Sequence, residues 1–183
     1  MKRNLLVAFP GTGYTCGTGL LAAGLARAKA AGYETLPLDY GIDFGPVPTF
    51  AEAFNLAEAA VRPQLAAVSW ARYDDILFLS KSLGTVTAAR TLRALAPRSV
   101  PIRSLYLTPL ADTLALVQPG DTVLGMVSGE TDRLIDWHAV QTFCAGHGFP
   151  FLLCPGVGHR LAAEGDDAGN AAITANVLTM LGL

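Results

Sequence analysis

The chain has 183 residues, 51% of them apolar and 15% charged, with a formal net charge of -2. One compact domain over residues 1–183 is expected, because this length and apolar share can bury a core and the charge content is too low for a disordered protein. The near-neutral balance, with no Lys/Arg run, excludes an electrostatic footprint for nucleic acid and gives no hold on an anionic membrane surface.

Leu5-Leu6-Val7-Ala8-Phe9 is a continuous apolar run, the pattern of a parallel strand covered on both faces. Met1-Lys2-Arg3 in front of it imitates a signal peptide, but Pro10-Gly11 ends the run too early. Gly17 to Ala31 reads as a helix stopped by Gly32. Thr35 to Asp39 reads as a second strand, at an edge because Pro37 cannot donate to a ladder. Thr49 or Pro48 opens a helix from Phe50 to about Trp70, with a break expected at Pro63. Ile76 to Leu79 form a third strand and Thr85 to Leu95 a helix; Leu105 to Leu107 form a fourth strand and Asp112 to Val117 a short helix. Thr122 to Val127 supply a fifth strand, Ile135 to Ala145 a helix, Pro150 to Cys154 a sixth strand, and Asn170 to Leu181 a closing helix. Glu164 to Gly169 is expected as a surface loop.

Strand and helix alternate from end to end, which implies an α/β fold: an open parallel sheet of about six strands with helices on both faces. No apolar stretch approaches the ~20 residues of a membrane span. Cys16, Cys144 and Cys154 form no C-x-x-C pair and, being odd in number, give no disulfide framework. A soluble, cytoplasmic protein is expected.

In a parallel sheet the residues that follow each strand share one rim, where sites gather. After the third strand, Ser80-Lys81-Ser82-Leu83-Gly84 passes directly into helical sequence. A strand entering a helix through one tight turn pushes its central side chain outwards, and the flanking positions must be small where the helix crosses the strand. Ser82 is therefore a candidate nucleophile, with Ser80 standing where glycine is usual. After the fifth strand a glycine turn, Gly129-Glu130-Thr131-Asp132, presents an acid. After the sixth, Gly156-Val157-Gly158-His159 presents a histidine. The order Ser, Asp, His is that of nucleophile-elbow hydrolases.

On these three motifs the chain resembles a small α/β-hydrolase, with no insertion long enough to form a lid. The resemblance implies the sheet order 2-1-3-4-5-6, with the elbow at the switch point. It also implies hydrolysis of a small carboxylic ester or thioester through an acyl-serine, with no metal or organic cofactor and a small acyl compound as partner. His159 would take the Ser82 proton and return it to the leaving group, and Asp132 would orient the imidazole. Leu83 N–H and Thr12 N–H would face the oxyanion. Gly11 and Gly13 would let the backbone turn closely around the substrate, and Lys81 is a candidate to bind an acidic one, although a solvated lysine is the simpler reading.

Each residue has a plainer reading. Ser82 and Asp132 could cap the helices that follow them, and Asp112 and Asp136 are rival acids. His159 could be an exposed loop histidine, while His138 within a helix and His147 at its end are worse placed. Tyr14, Asp39 and Asp43 are further candidates to line the pocket. Gly11-Thr12-Gly13 with Gly17-Thr18-Gly19 could bind a phosphate, but no lysine completes a P-loop and Cys16 occupies the last glycine position of a G-x-G-x-x-G pattern. Cys16 is more simply a small buried residue. The competing class is a non-catalytic binding or interaction protein on the same fold.

Overall fold

The computed structural model describes residues 3–96 and 101–183. Met1 and Lys2 of the basic start lie outside them. Among the described residues the strands and α-helices follow in the order β1 (Asn4–Phe9), α1 (Gly19–Ala30), β2 (Glu34–Pro37), α2 (Phe50–Ala66), β3 (Asp75–Lys81), α3 (Leu83–Leu95), β4 (Ile102–Leu107), α4 (Ala111–Leu116), β5 (Thr122–Gly129), α5 (Trp137–His147), β6 (Phe151–Cys154) and α6 (Asp167–Met180), with a short 3-10 turn at Trp70–Arg72 between α2 and β3. The strands form one parallel sheet in the order β2-β1-β3-β4-β5-β6. The direction of winding reverses between β1 and β3, and Ser82 follows β3 at that switch point. Pro37 closes β2 on the sheet edge, as its missing N–H requires.

The continuous apolar runs are explained by the pleat, which sends alternate side chains into two separate cores. Leu5, Val7 and Phe9 of β1 join Phe78 of β3 and Phe54, Val61, Val86 and Val140 from α2, α3 and α5. Leu6 and Ala8 join Leu77 and Leu79 with Leu20, Leu21, Ala28 and Val177 from α1 and α6. Both layers are buried, so a polar substitution along β1 or β3 has no solvent face to turn to.

Several boundaries differ from the sequence reading for identifiable reasons. The break expected at Pro63 does not occur: α2 continues through it to Ala66, and both Pro63 and Ala59, whose carbonyl loses its intrahelical donor, lie on exposed positions where water can replace that donor. α6 begins at Asp167, within the stretch expected as a loop, because the Asp166 carboxylate accepts from Gly169 N–H and caps it. α5 begins at Trp137, with Asp136 as its cap accepting from His138 N–H. α3 begins at Leu83, directly after Ser82.

The crossing of α3 over β1 is close at one glycine. A Cβ on Gly84 would lie 2.3 Å from Phe9 O and 2.4 Å from Pro10 O, both backbone atoms that cannot rotate away. Gly84→Ala is therefore expected to lower unfolding stability by about 1–3 kcal/mol, the usual penalty of overpacking. Urea denaturation followed by circular dichroism measures it.

Candidate active site

Ser82 sits at φ 53° and ψ −123°, a conformation that disfavours any side chain. The surroundings hold it there. Its N–H donates to Leu107 O at 3.0 Å on β4, and its carbonyl accepts from Thr85 N–H at 2.8 Å and from Thr85 Oγ1 at 2.6 Å. Thr85 Oγ1 in turn lies 2.6 Å from Thr113 Oγ1 of α4. Ser80 is fully buried with its hydroxyl on Leu105 O, so the small residue before the turn fits where glycine is usual. The capping role is not adopted, for the Ser82 side chain makes no cap hydrogen bond to α3.

Instead, Ser82 Oγ lies 2.7 Å from His159 Nε2, and His159 Nδ1 lies 2.7 Å from Asp132 Oδ2. An ionised carboxylate only accepts, so Nδ1 carries the imidazole proton and Nε2 presents a lone pair to the Ser82 hydroxyl. The Asp132 side chain is fully buried and that of His159 is one-quarter exposed. Burial pushes the Asp132 pKa up, but the hydrogen bond from His159, the N–H of Leu134 and the charges of His159 and Lys81 outweigh it and hold the carboxyl below its usual range.

The acid and histidine loops are fastened together. Glu130 N–H donates to Cys154 O and Thr131 N–H to Val157 O, both at 3.0 Å, while the Glu130 carboxylate accepts from Gly156 N–H at 2.8 Å. A Cβ on Gly129 would lie 2.4 Å from Gly158 O, so the end of β5 carries the backbone of the histidine loop directly. The rival acids are elsewhere: Asp112 is exposed on α4, and Asp136 is occupied with His138. His147 Nδ1 lies 2.8 Å from Phe143 O within its own helix.

Gly11 lies against the elbow, since a Cβ there would meet Ser82 Cβ at 3.2 Å and Lys81 O at 3.3 Å. Gly11 N–H is committed to Tyr14 O at 3.1 Å across a tight turn. Gly13 has φ 62° at the third position of that turn, whereas Thr12 has a negative φ, the sign pattern of a type II turn. Thr12 N–H and Leu83 N–H have no hydrogen-bond partner among the described residues. Two clefts of about 390 Å³ and 440 Å³ flank this turn and share Gly13 and Phe44. The first is lined by Tyr14, Leu38, Asp39 and Tyr40, the second by Thr12, Asp43, Val47 and Phe50, and among the described residues no lysine or arginine lines either.

Lys81 departs from its expected place. It lines neither cleft and does not reach solvent: it is 1% exposed, and its ammonium donates to Thr108 Oγ1 at 2.8 Å and to the backbone carbonyl of His159 at 2.5 Å. Thr108, at φ 46° after β4, was not singled out from the sequence. Its position on the same rim after a strand was the available signal. Cys16 is buried, with its thiol directed at Ala8 O and Leu38 O and its pKa pushed up to about 12 by burial, so it is a poor nucleophile. Among the described residues no group of three or more His, Cys, Asp or Glu side chains is placed to hold a metal ion. No helix among them is long and apolar enough to cross a membrane.

No protein-family model and no curated protein sequence matches the chain. Solved structures do. A lidless α/β serine hydrolase from Xanthomonas campestris superposes with a TM-score of 0.68 at 16% identity, over 98% of this chain and 80% of that one. An esterase from Pyrococcus furiosus gives 0.61 at 15% identity, over 99% and 83%. An α/β serine hydrolase homologue from Coxiella burnetii gives 0.66 at 15% identity, over 98% and 85%. At such identities the likeness is one of fold, and the chain has the α/β-hydrolase fold.

The depressed Asp132 pKa sets a pH dependence of stability. A carboxyl lowered by folding contributes stability above its unfolded pKa of about 4, and that contribution is lost as pH falls through the folded value. The Tm gap between wild type and Asp132→Asn is expected to be open at about pH 6 and to narrow as pH falls below about 4. Scanning fluorimetry across that range checks it.

Proposed function

We propose that the chain is a serine hydrolase that cleaves a small carboxylic ester or thioester through an acyl-serine on Ser82. The observation that carries this reading is the pair of 2.7 Å contacts from Asp132 through His159 to a serine held in a strained turn. The likeness to serine hydrolases and esterases of the same fold supports the reaction class.

In the first half-reaction Ser82 Oγ attacks the acyl carbon as its proton passes to His159 Nε2. The resulting imidazolium is stabilised by the buried Asp132 carboxylate. The carbonyl electrons collect on an oxyanion facing Leu83 N–H, at the N-terminus of α3, and Thr12 N–H. Collapse breaks the bond to the leaving alcohol or thiol, which takes the proton from His159. In the second half-reaction water gives its proton to His159 and attacks the acyl-serine; Ser82 regains its hydroxyl and the acid departs.

The two clefts beside the turn that carries Thr12, neither of which is lined by Ser82 or His159, have room for short or compact acyl groups. Their walls combine apolar and aromatic side chains with Asp39 and Asp43, and Lys81 is turned away from them. A neutral acyl group is therefore favoured over one bearing a carboxylate. The three cysteines are free and buried, which supports a reducing, cytoplasmic setting.

The turn geometry permits a direct test of the second oxyanion donor, because proline is favoured at the second position of a type II turn. Thr12→Pro removes one N–H without breaking the turn and is expected to lower kcat about 10²- to 10³-fold on a short p-nitrophenyl ester, with KM little changed. Ser82→Ala is expected to lose at least about 10³-fold on the same ester. Turnover by Ser82→Ala at the wild-type rate would overturn the proposal.

A further inference from the structure

Lys81 is the last residue of β3, adjacent to Ser82, and its side chain runs beneath the rim rather than out of it. Its ammonium touches three separate segments. It donates to Thr108 Oγ1 after β4 and to His159 O after β6, and it lies 5.1 Å from the ring centroid of Tyr14 in the turn after β1. Tyr14 is itself fixed, since its hydroxyl accepts from Leu20 N–H at 2.8 Å and a Cβ on Gly19 would strike that oxygen at 2.1 Å.

No carboxylate lies within ion-pair distance of Lys81 among the described residues. A buried cation whose direct contacts are a carbonyl, a hydroxyl and a ring face, with a carboxylate acting on it only from beyond contact, is an expensive way to fill space that an apolar side chain could occupy. Such departures from the stability optimum concentrate at functional sites. What this one holds is specific: the carbonyl it grips belongs to the residue whose imidazole contacts Ser82, and the ring it underlies belongs to the turn that carries Thr12.

We propose that Lys81 is a positioning residue, which pins the backbone of His159 and the Gly11 to Tyr14 turn to the nucleophile strand so that base and oxyanion donor keep their register on Ser82. This rests on the acyl-serine reading given above. The charged form does the holding, because an ammonium hydrogen bond to a carbonyl is stronger than that of a neutral amine. Burial, partly offset by attraction to Asp132 and reinforced by repulsion from Arg160, lowers the Lys81 pKa to about 8. Of the other groups that face it, His159 contributes its carbonyl, and Thr108 and Tyr14 contribute a hydroxyl and a ring. Lys81 is thus protonated below about pH 8 and loses its grip as pH rises through that value.

The test is the pH profile of kcat on a short neutral p-nitrophenyl ester for wild type, Lys81→Met, Thr108→Ala and Ser82→Ala. Wild-type kcat is expected to fall on an alkaline limb centred near pH 8. Lys81→Met is expected to lose about tenfold to a hundredfold in kcat at pH 7, as a small misplacement of catalytic groups does, with KM within about twofold of wild type because Lys81 does not touch the substrate. Its alkaline limb should be gone. Thr108→Ala, which leaves the His159 contact, is expected to lose less and to keep a limb; it and the wild-type limb decide the matter if Lys81→Met does not fold. A wild type without an inflection between about pH 7 and 9, or a folded Lys81→Met with wild-type kcat and profile beside an inactive Ser82→Ala, would overturn the role of Lys81 alone. Equal turnover by wild type and Ser82→Ala would instead overturn the acyl-serine reading, and this role with it.

Discussion

The backbone of Ser82 cannot relax into a common conformation without losing the hydrogen bonds that join β3, β4 and α3, and the rest of the site depends on that constraint. Strain of this kind costs on the order of 1–3 kcal/mol and persists only where neighbours over-determine it. Here they include Leu107, which receives the Ser82 N–H, Thr85, which donates twice to its carbonyl, and Gly84, whose missing side chain lets α3 reach Phe9 and Pro10. The consequence is a hydroxyl fixed at the sheet's switch point and, beside it, a Leu83 N–H with no hydrogen-bond partner among the described residues. Elsewhere the chain is arranged around that point: Gly129 admits the histidine loop, and Gly11 admits the turn that carries Thr12.

Much of this was legible in the sequence because the fold repeats one local rule. A buried parallel strand must be apolar on both faces, so β1, β3 and β5 announce themselves, and the residues that follow them must share a rim. Ser82, Asp132 and His159 are each ambiguous alone; their order and their positions after strands made the geometry foreseeable. Pro37 correctly marked an edge for the same reason, a missing donor.

What could not be read is equally physical. The sequence cannot say whether a lysine next to a nucleophile turns outwards or inwards, because the answer depends on Thr108 and His159, 27 and 78 residues away. Pro63 reads as a helix break because its ring displaces the bond to the Ala59 carbonyl, and only the folded α2 shows that this carbonyl belongs to an exposed residue, where water can take the place of the lost donor. Asp166 was hidden in a Gly/Asp-rich stretch that reads as loop until its carboxylate is seen on Gly169 N–H.

Ser82 Oγ, 2.7 Å from His159 Nε2, is the atom on which the proposed chemistry depends. Treatment of the folded protein with a fluorophosphonate, followed by peptide mapping by mass spectrometry, tests this most directly. The expected result is a single adduct on Ser82, lost on prior unfolding and strongly slowed in His159→Ala. An unlabelled folded protein, or a label distributed over other serines and unchanged in Ser82→Ala, would contradict it.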